Sequence, residues 1–249
     1  MNILIFDTET IGQNSQDLIN VGWKIIDLDI RTTKYKVLVE RDYLITRFIN
    51  NVDYCMNDNF VGATKYSKFL EALQQKTAKK RKLENVFTTL ENDIKRQKVL
   101  FGYAYNCKFD IDKFEKNGYK ISIPVFDIWG YAYDKIISTP QYKEFCLKNE
   151  LLTATKQYIQ GNVESVIKYL HNDVALCEDH TALSDVQHET DILVECVRLG
   201  SDITREATKP QNVKSGVVLT EQFKTPNGDI ISISYTTKWS RNGMTYYRA

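Results

Sequence analysis

Three β-patterned segments crowd into the first 45 residues, and the links between them are too short to hold a helical crossover. NILIFD is a continuous apolar run, as a central strand needs when both of its faces are covered. DLINVGWKIIDLD alternates through Ile19, Val21, Trp23 and Ile25, and YKVLVERDYLI resumes the β pattern after RTTK. Links this short dictate hairpins and antiparallel pairing. A chain that opens this way has to build on a β-sheet with its first strand inside.

Beyond residue 45 the period changes. LENVFTTLENDIKRQ sets Leu83, Val86, Phe87, Leu90 and Ile94 on one helical stripe. VLFGYAY returns to strand, FDIDKFEKNG is a short helix stopped by Gly118, and ISIPVFDIW is a strand that Pro124 confines to an edge or a strand start. From 127 to 200 the pattern is mostly helical, clearest in VESVIKYL and HTALSDVQHETDILVECVRLG, with Gly200 as stop signal. The order β-β-β-α-β-α-β-α predicts an α/β fold, a mixed five-stranded sheet flanked by helices over residues 1–200. Residues 201–215 are polar and carry Pro and Ser, as a linker does. VVLTEQF, DIISISYTTKW and MTYYRA then predict a small three-stranded β appendage over 216–249, with Asn-Gly in both intervening turns, TPNG and SRNG. If 229–239 is one strand, Ile231, Ile233, Tyr235, Thr237 and Trp239 share a face, with Lys238 and Arg241 beside Tyr246 and Tyr247. Such a hairpin either guides a nucleic-acid strand, docks a partner, or packs on the main body.

Charge and cysteine usage narrow the class. The 33 basic and 32 acidic side chains of the 249 residues leave +1, so no global field marks a polyanion partner. Residues 76–98 carry a local +5 and residues 204–249 a local +4. The run KTAKKRK at 76–82 could track phosphates, although a solvated helix face is the plainer account. No apolar run approaches the roughly 20 residues of a membrane span, and Met1 leads straight into a strand pattern. The five cysteines are odd in number, widely spaced and without CxxC. The expectation is a soluble, cytoplasmic protein with no membrane association.

Three acidic elements carry chemistry. Asp7 and Glu9 lie two apart, so in a strand they share a face, where repulsion and desolvation are costly unless a divalent cation neutralises them. A polar strand end gives the same DxE. Asn106 and Asp110 span the end of VLFGYAY and the start of the next helix, where the dipole favours an acid in any case and Asp112 competes for the role. His180, one of three histidines, lies five residues before Asp185 at the start of an amphipathic helix. No spacing with His188 or a nearby cysteine makes a zinc set.

In order and context these elements resemble the DEDDh branch of the DEDD 3′→5′ exonuclease superfamily. FDTET matches the first motif, YNCKFD the second, and HTALSD the third. Thr181 stands where the sister branch has its tyrosine. FDIW around Asp127 looks like a further family segment, with Ile-Trp in place of Thr-Leu.

The resemblance implies a ribonuclease-H-like fold and two-metal phosphodiester hydrolysis with Mg²⁺ or Mn²⁺. By resemblance, Asp7 bridges the ions, Glu9 and Asp185 complete the nucleophile-side ion, and Asp110 acts through water. His180 is the general base and Asn106 positions the terminal nucleotide, with Thr8 and Thr10 close to it. Tyr103, Tyr105 and Phe109 are candidates for stacking on bases, or are simply packing at a strand end. The implied substrate is the single-stranded or frayed 3′ end of a nucleic acid, DNA before RNA, releasing 5′-mononucleotides. A polymerase or a replication or repair protein is the implied partner. RNA 3′-end trimming, internal cleavage, and a non-catalytic nucleic-acid-binding module are the competing expectations.

Overall fold

The N-terminal segments form β1 (Asn2–Thr10), β2 (Leu18–Leu28) and β3 (Tyr35–Ile45), paired antiparallel in that order. They belong to a computed structural model that describes residues 1–12, 16–59, 61–224, 230–241 and 244–248. Helices α1 (Thr46–Ile49), α2 (Val52–Met56) and α3 (Gly62–Gln74) lead to β4 (Lys79–Arg81) and α4 (Leu83–Arg96). The alternation continues through β5 (Phe101–Ala104), α5 (Lys108–Lys116), β6 (Val125–Asp127) and α6 (Ile128–Ala132). Then come α7 (Pro140–Lys148), α8 (Val163–His171) and α9 (Ala182–Arg198). Four short strands close the chain: β7 (Leu219–Lys224), β8 (Ile230–Tyr235), β9 (Thr237–Arg241) and β10 (Met244–Arg248).

The chain divides into two units: Met1–Ile136 with Asn162–Pro210, and Ile137–Gly161 with Gln211–Ala249. The first holds a six-stranded mixed sheet in the order β4-β3-β2-β1-β5-β6, in which β5 and β6 run parallel to β1, and β4 runs parallel to β3. The α/β class expected from sequence is present, with one strand more than the five anticipated. The extra strand is β4, in the middle of KTAKKRK, where a solvated helix face was the plainer expectation. It pairs with Tyr43–Ile45 along one side only and its side chains stay exposed, so the basic run sits at a sheet edge. β2 also departs from its alternation. Asn20, Lys24 and Ile26 are buried along with Val21, Trp23 and Ile25, because helices cover the second face as well. Pro124 directly precedes β6, the opposite edge strand, as its missing N–H demands.

In the second unit, Thr139 caps α7, with Pro140 in its first turn, and Ile159 N–H donates to the Val213 carbonyl at 3.0 Å. The anticipated three-stranded appendage is instead two antiparallel ribbons, β7 with β8 and β9 with β10. The stretch read as one strand breaks at Thr236, whose N–H and Oγ1 both turn to the Arg248 carbonyl. The two Asn-Gly pairs lie outside the described residues.

What positions the site is the seating of α9 on β1 and β2. Gly22 pairs with Asp7 across the ladder. A Cβ on Gly22 would fall 2.6 Å from Leu183 N and 2.7 Å from Ala182 C, so only glycine lets the first turn of α9 lie this close. Asn20 fixes the same turn: its Oδ1 accepts from Ala182 N–H at 2.8 Å, while its Nδ2 donates to Asp42 Oδ1 and to the Tyr43 carbonyl. Gly22→Ala should therefore lower stability by about 1–3 kcal/mol, the usual cost of overpacking. A urea midpoint equal to that of the wild type would refute this account of the contact.

Candidate active site

β1 delivers Asp7 and Glu9 at its C-terminal half, α5 delivers Asp110 in its first turn, and α9 delivers Asp185 in its first turn. These segments are distant in sequence and meet because β1 is the shared neighbour of β2, β5 and α9. The register shifts after Glu9: Glu9 pairs with Asn20 but Thr10 with Leu18, which leaves Ile19 of β2 as a bulge.

The acids differ in their partners. Asp110 is 2% exposed and its Oδ1 accepts from Thr8 N–H at 3.0 Å and Thr8 Oγ1 at 2.6 Å. Burial pushes its pKa up to about 7 in spite of those hydrogen bonds. Asp7 is raised well above the usual carboxylate range by burial first, then by Asp110, Asp185 and Glu9. Asp185 is raised by burial, then by Glu9 and Glu178, and a side-chain hydrogen bond with Glu9 favours its protonated form. Asp7 Oδ2 and Asp185 Oδ1 are buried with no hydrogen-bond partner among the described residues. Buried carboxylate oxygens left this way are costly as anions and are suited to cation ligation.

His180 lies on the link before α9 at φ +51°, a left-handed conformation that costs a non-glycine residue about 1–2 kcal/mol. Its side chain is 54% exposed, with Nδ1 3.6 Å from Glu178 Oε2. Ligand atoms of Glu9, His180 and Asp185 all lie within 4.8 Å of one another, a spacing that could hold an ion. Asn106 also has positive φ, +57°, and its N–H donates to Asp127 Oδ1 at 2.8 Å, while Asp127 caps α6 through Trp129 N–H. Asp127 thus ties down the turn after β5.

The remaining expected contacts separate. Tyr105 stacks on Trp129 with centroids 6.3 Å apart, and Phe109 lies under Lys113 Nζ at 4.7 Å. Thr10 Oγ1 donates to the Gly12 carbonyl. Tyr103 is fully buried and donates to the Ile203 carbonyl, so it cannot stack on a base. Its ring lies against Phe126 and Tyr131.

Three residues at this site escaped the sequence. Glu189 is 2% exposed, one turn after Asp185, and is raised well above its usual range by burial, then by Asp110. Its i,i+4 spacing from Asp185 was the available signal. Glu178 is pushed up to about 7 by burial and by Glu164. Lys65 on α3 pairs with Glu9 Oε2 at 2.8 Å. Nothing in the local sequence announces it.

No family model matches this chain, and no curated protein matches it.

Carboxylates whose folded-state pKa is raised bind more protons folded than unfolded. Their contribution to stability is full at low pH and is lost as pH rises through the folded value. For Asp110 the window runs from about pH 4, the unfolded value, to about 7, and Asp7, Asp185 and Glu189 are raised in the same direction. In EDTA the melting temperature should fall across this range, and saturating Mn²⁺ should reverse the fall. Identical melting profiles with and without metal would show that these carboxylates hold no ion.

Proposed function

We propose that this chain is a divalent-metal-dependent 3′→5′ exonuclease of the DEDDh kind, acting on single-stranded or frayed DNA 3′ ends. What supports the reading is one observation: Asp7, Asp110 and Asp185, from three distant segments, crowd together beside Glu9, and each is pushed up by burial and by neighbouring acids. The donor set is all carboxylate oxygen with one imidazole beside it, which fits Mg²⁺ or Mn²⁺. Asp7, Glu9 and Asp185 would hold the ions, with Asp110 behind them. When bound, such ions activate a water and stabilise the leaving 3′ oxygen.

On this reading the side chains divide the work as follows. Thr8 holds Asp110 in place through its Oδ1. His180 stands at the solvent side of the carboxylates, where its Nδ1 faces Glu178 and its Nε2 is left to take a proton from the attacking water. The turn at Asn106, fixed by Asp127, offers the amide side chain to the terminal nucleotide. Tyr105 and Phe109, both half-buried, present partial ring faces for a base.

Incubating the protein with 5′-labelled DNA and RNA strands of equal sequence tests this. The expected result is a ladder shortening from the 3′ end with Mg²⁺ or Mn²⁺, faster on DNA, and no cleavage in EDTA. Asp7→Ala and Asp185→Asn should remove nearly all activity, and His180→Ala should lower kcat by about 10²–10⁴-fold. Faster shortening of RNA would reassign the substrate. Binding without cleavage under all metal conditions would favour a non-catalytic module.

A further inference from the structure

We propose that Lys65 is a phosphate contact of this site, held on Glu9 until a divalent cation takes its place among the carboxylates. The inference rests on the exonuclease reading and adds a residue from a segment outside all three motifs.

Lys65 belongs to α3, between β3 and β4 in the chain. Its Nζ lies 2.8 Å from Glu9 Oε2, with the two side chains only 14% and 16% exposed. The ammonium acts on more than one acid. Burial and neighbouring carboxylates push Asp185 and Glu178 up, and Lys65 pulls both back. It is thus a cation already placed where the acids need one. One turn on, Lys68 donates to both the carbonyl and Oδ1 of Asp179, next to His180. Residues three apart share a helix face, so α3 turns two amines toward the site and the link before α9.

The consequence follows from charge. A divalent ion ligated by Glu9 claims the negative charge that holds Lys65, and like charge repels the ammonium. A largely buried ammonium without an anion is costly. The anion that arrives with a nucleic-acid 3′ end is its phosphate, which an ammonium on a four-carbon stem can reach as a point charge. Lys65 therefore serves the metal-free site as counterion and the loaded site as substrate grip.

Lys65→Met and Lys65→Arg separate these roles in two measurements that need no hydrolysis. In calorimetric Mn²⁺ titrations without nucleic acid, Lys65→Met should bind Mn²⁺ about 2- to 5-fold more tightly, having lost the competing ion pair. In Ca²⁺, anisotropy of a 5′-fluorescein single strand should show weaker binding. The dependence of log affinity on log salt should be shallower by about 0.7, one phosphate contact. Lys65→Arg should keep the wild-type slope. Mn²⁺ affinity unchanged or weakened in Lys65→Met, or an unchanged salt slope, would overturn the inference. A wild-type protein that binds metal and strand but cleaves nothing would refute the exonuclease reading alone.

Discussion

Mutual repulsion among buried acids is the constraint around which the first unit is organised. Two like charges 4–5 Å apart interact by about 3–4 kcal/mol at an effective dielectric of 20. A typical neutral hydrogen bond returns only about 1 kcal/mol net. Hydrogen bonds from Thr8 to Asp110 therefore cannot offset the crowding of Asp7, Glu9, Asp185 and Glu189. Protons or cations must. Raised carboxylate pKa values and the Lys65 ion pair are the two forms this takes here. A group this unfavourable persists only because other contacts hold its parts together. Gly22 lets α9 descend onto β2, Asn20 holds its first turn, and Asp127 fixes the turn after β5.

Much of this was legible in the sequence where local pattern and tertiary role coincide. β1 and β3 follow their apolar patterns, and α5 and α9 start where an acid sits in the first turn. Gly118 and Gly200 both take positive φ just after the helices they end. The carboxylates were visible because two-residue spacing in a strand and first-turn positions in helices fix where side chains go. Glu189 was readable in principle from its spacing to Asp185, but one acid on an amphipathic helix carries no signal of burial.

Other features depend on contacts that no local pattern encodes. The burial of Lys24 and Asn20 on β2 comes from α9, whose approach depends on the absence of a single Cβ at Gly22. Lys65 lies in a polar helix like many solvated ones, and only the pairing of α3 with the site makes it notable. The break at Thr236 arises from two hydrogen bonds to Arg248, a residue twelve positions away. KTAKKRK has the composition of a helix face, yet it supplies a strand because β3 leaves a free ladder edge for it.

That strand and its opposite number decide how this sheet can end. Polymerising by strand addition needs an unobstructed, uncharged margin. One edge strand, β4, is three residues long, covers only Tyr43–Ile45 of β3, and bristles with Lys79, Lys80 and Arg81. The other is equally short and starts after a proline that has no N–H to offer. Charge guards one of these short edge strands and a proline the other, so neither offers a second copy a long, neutral ladder to extend.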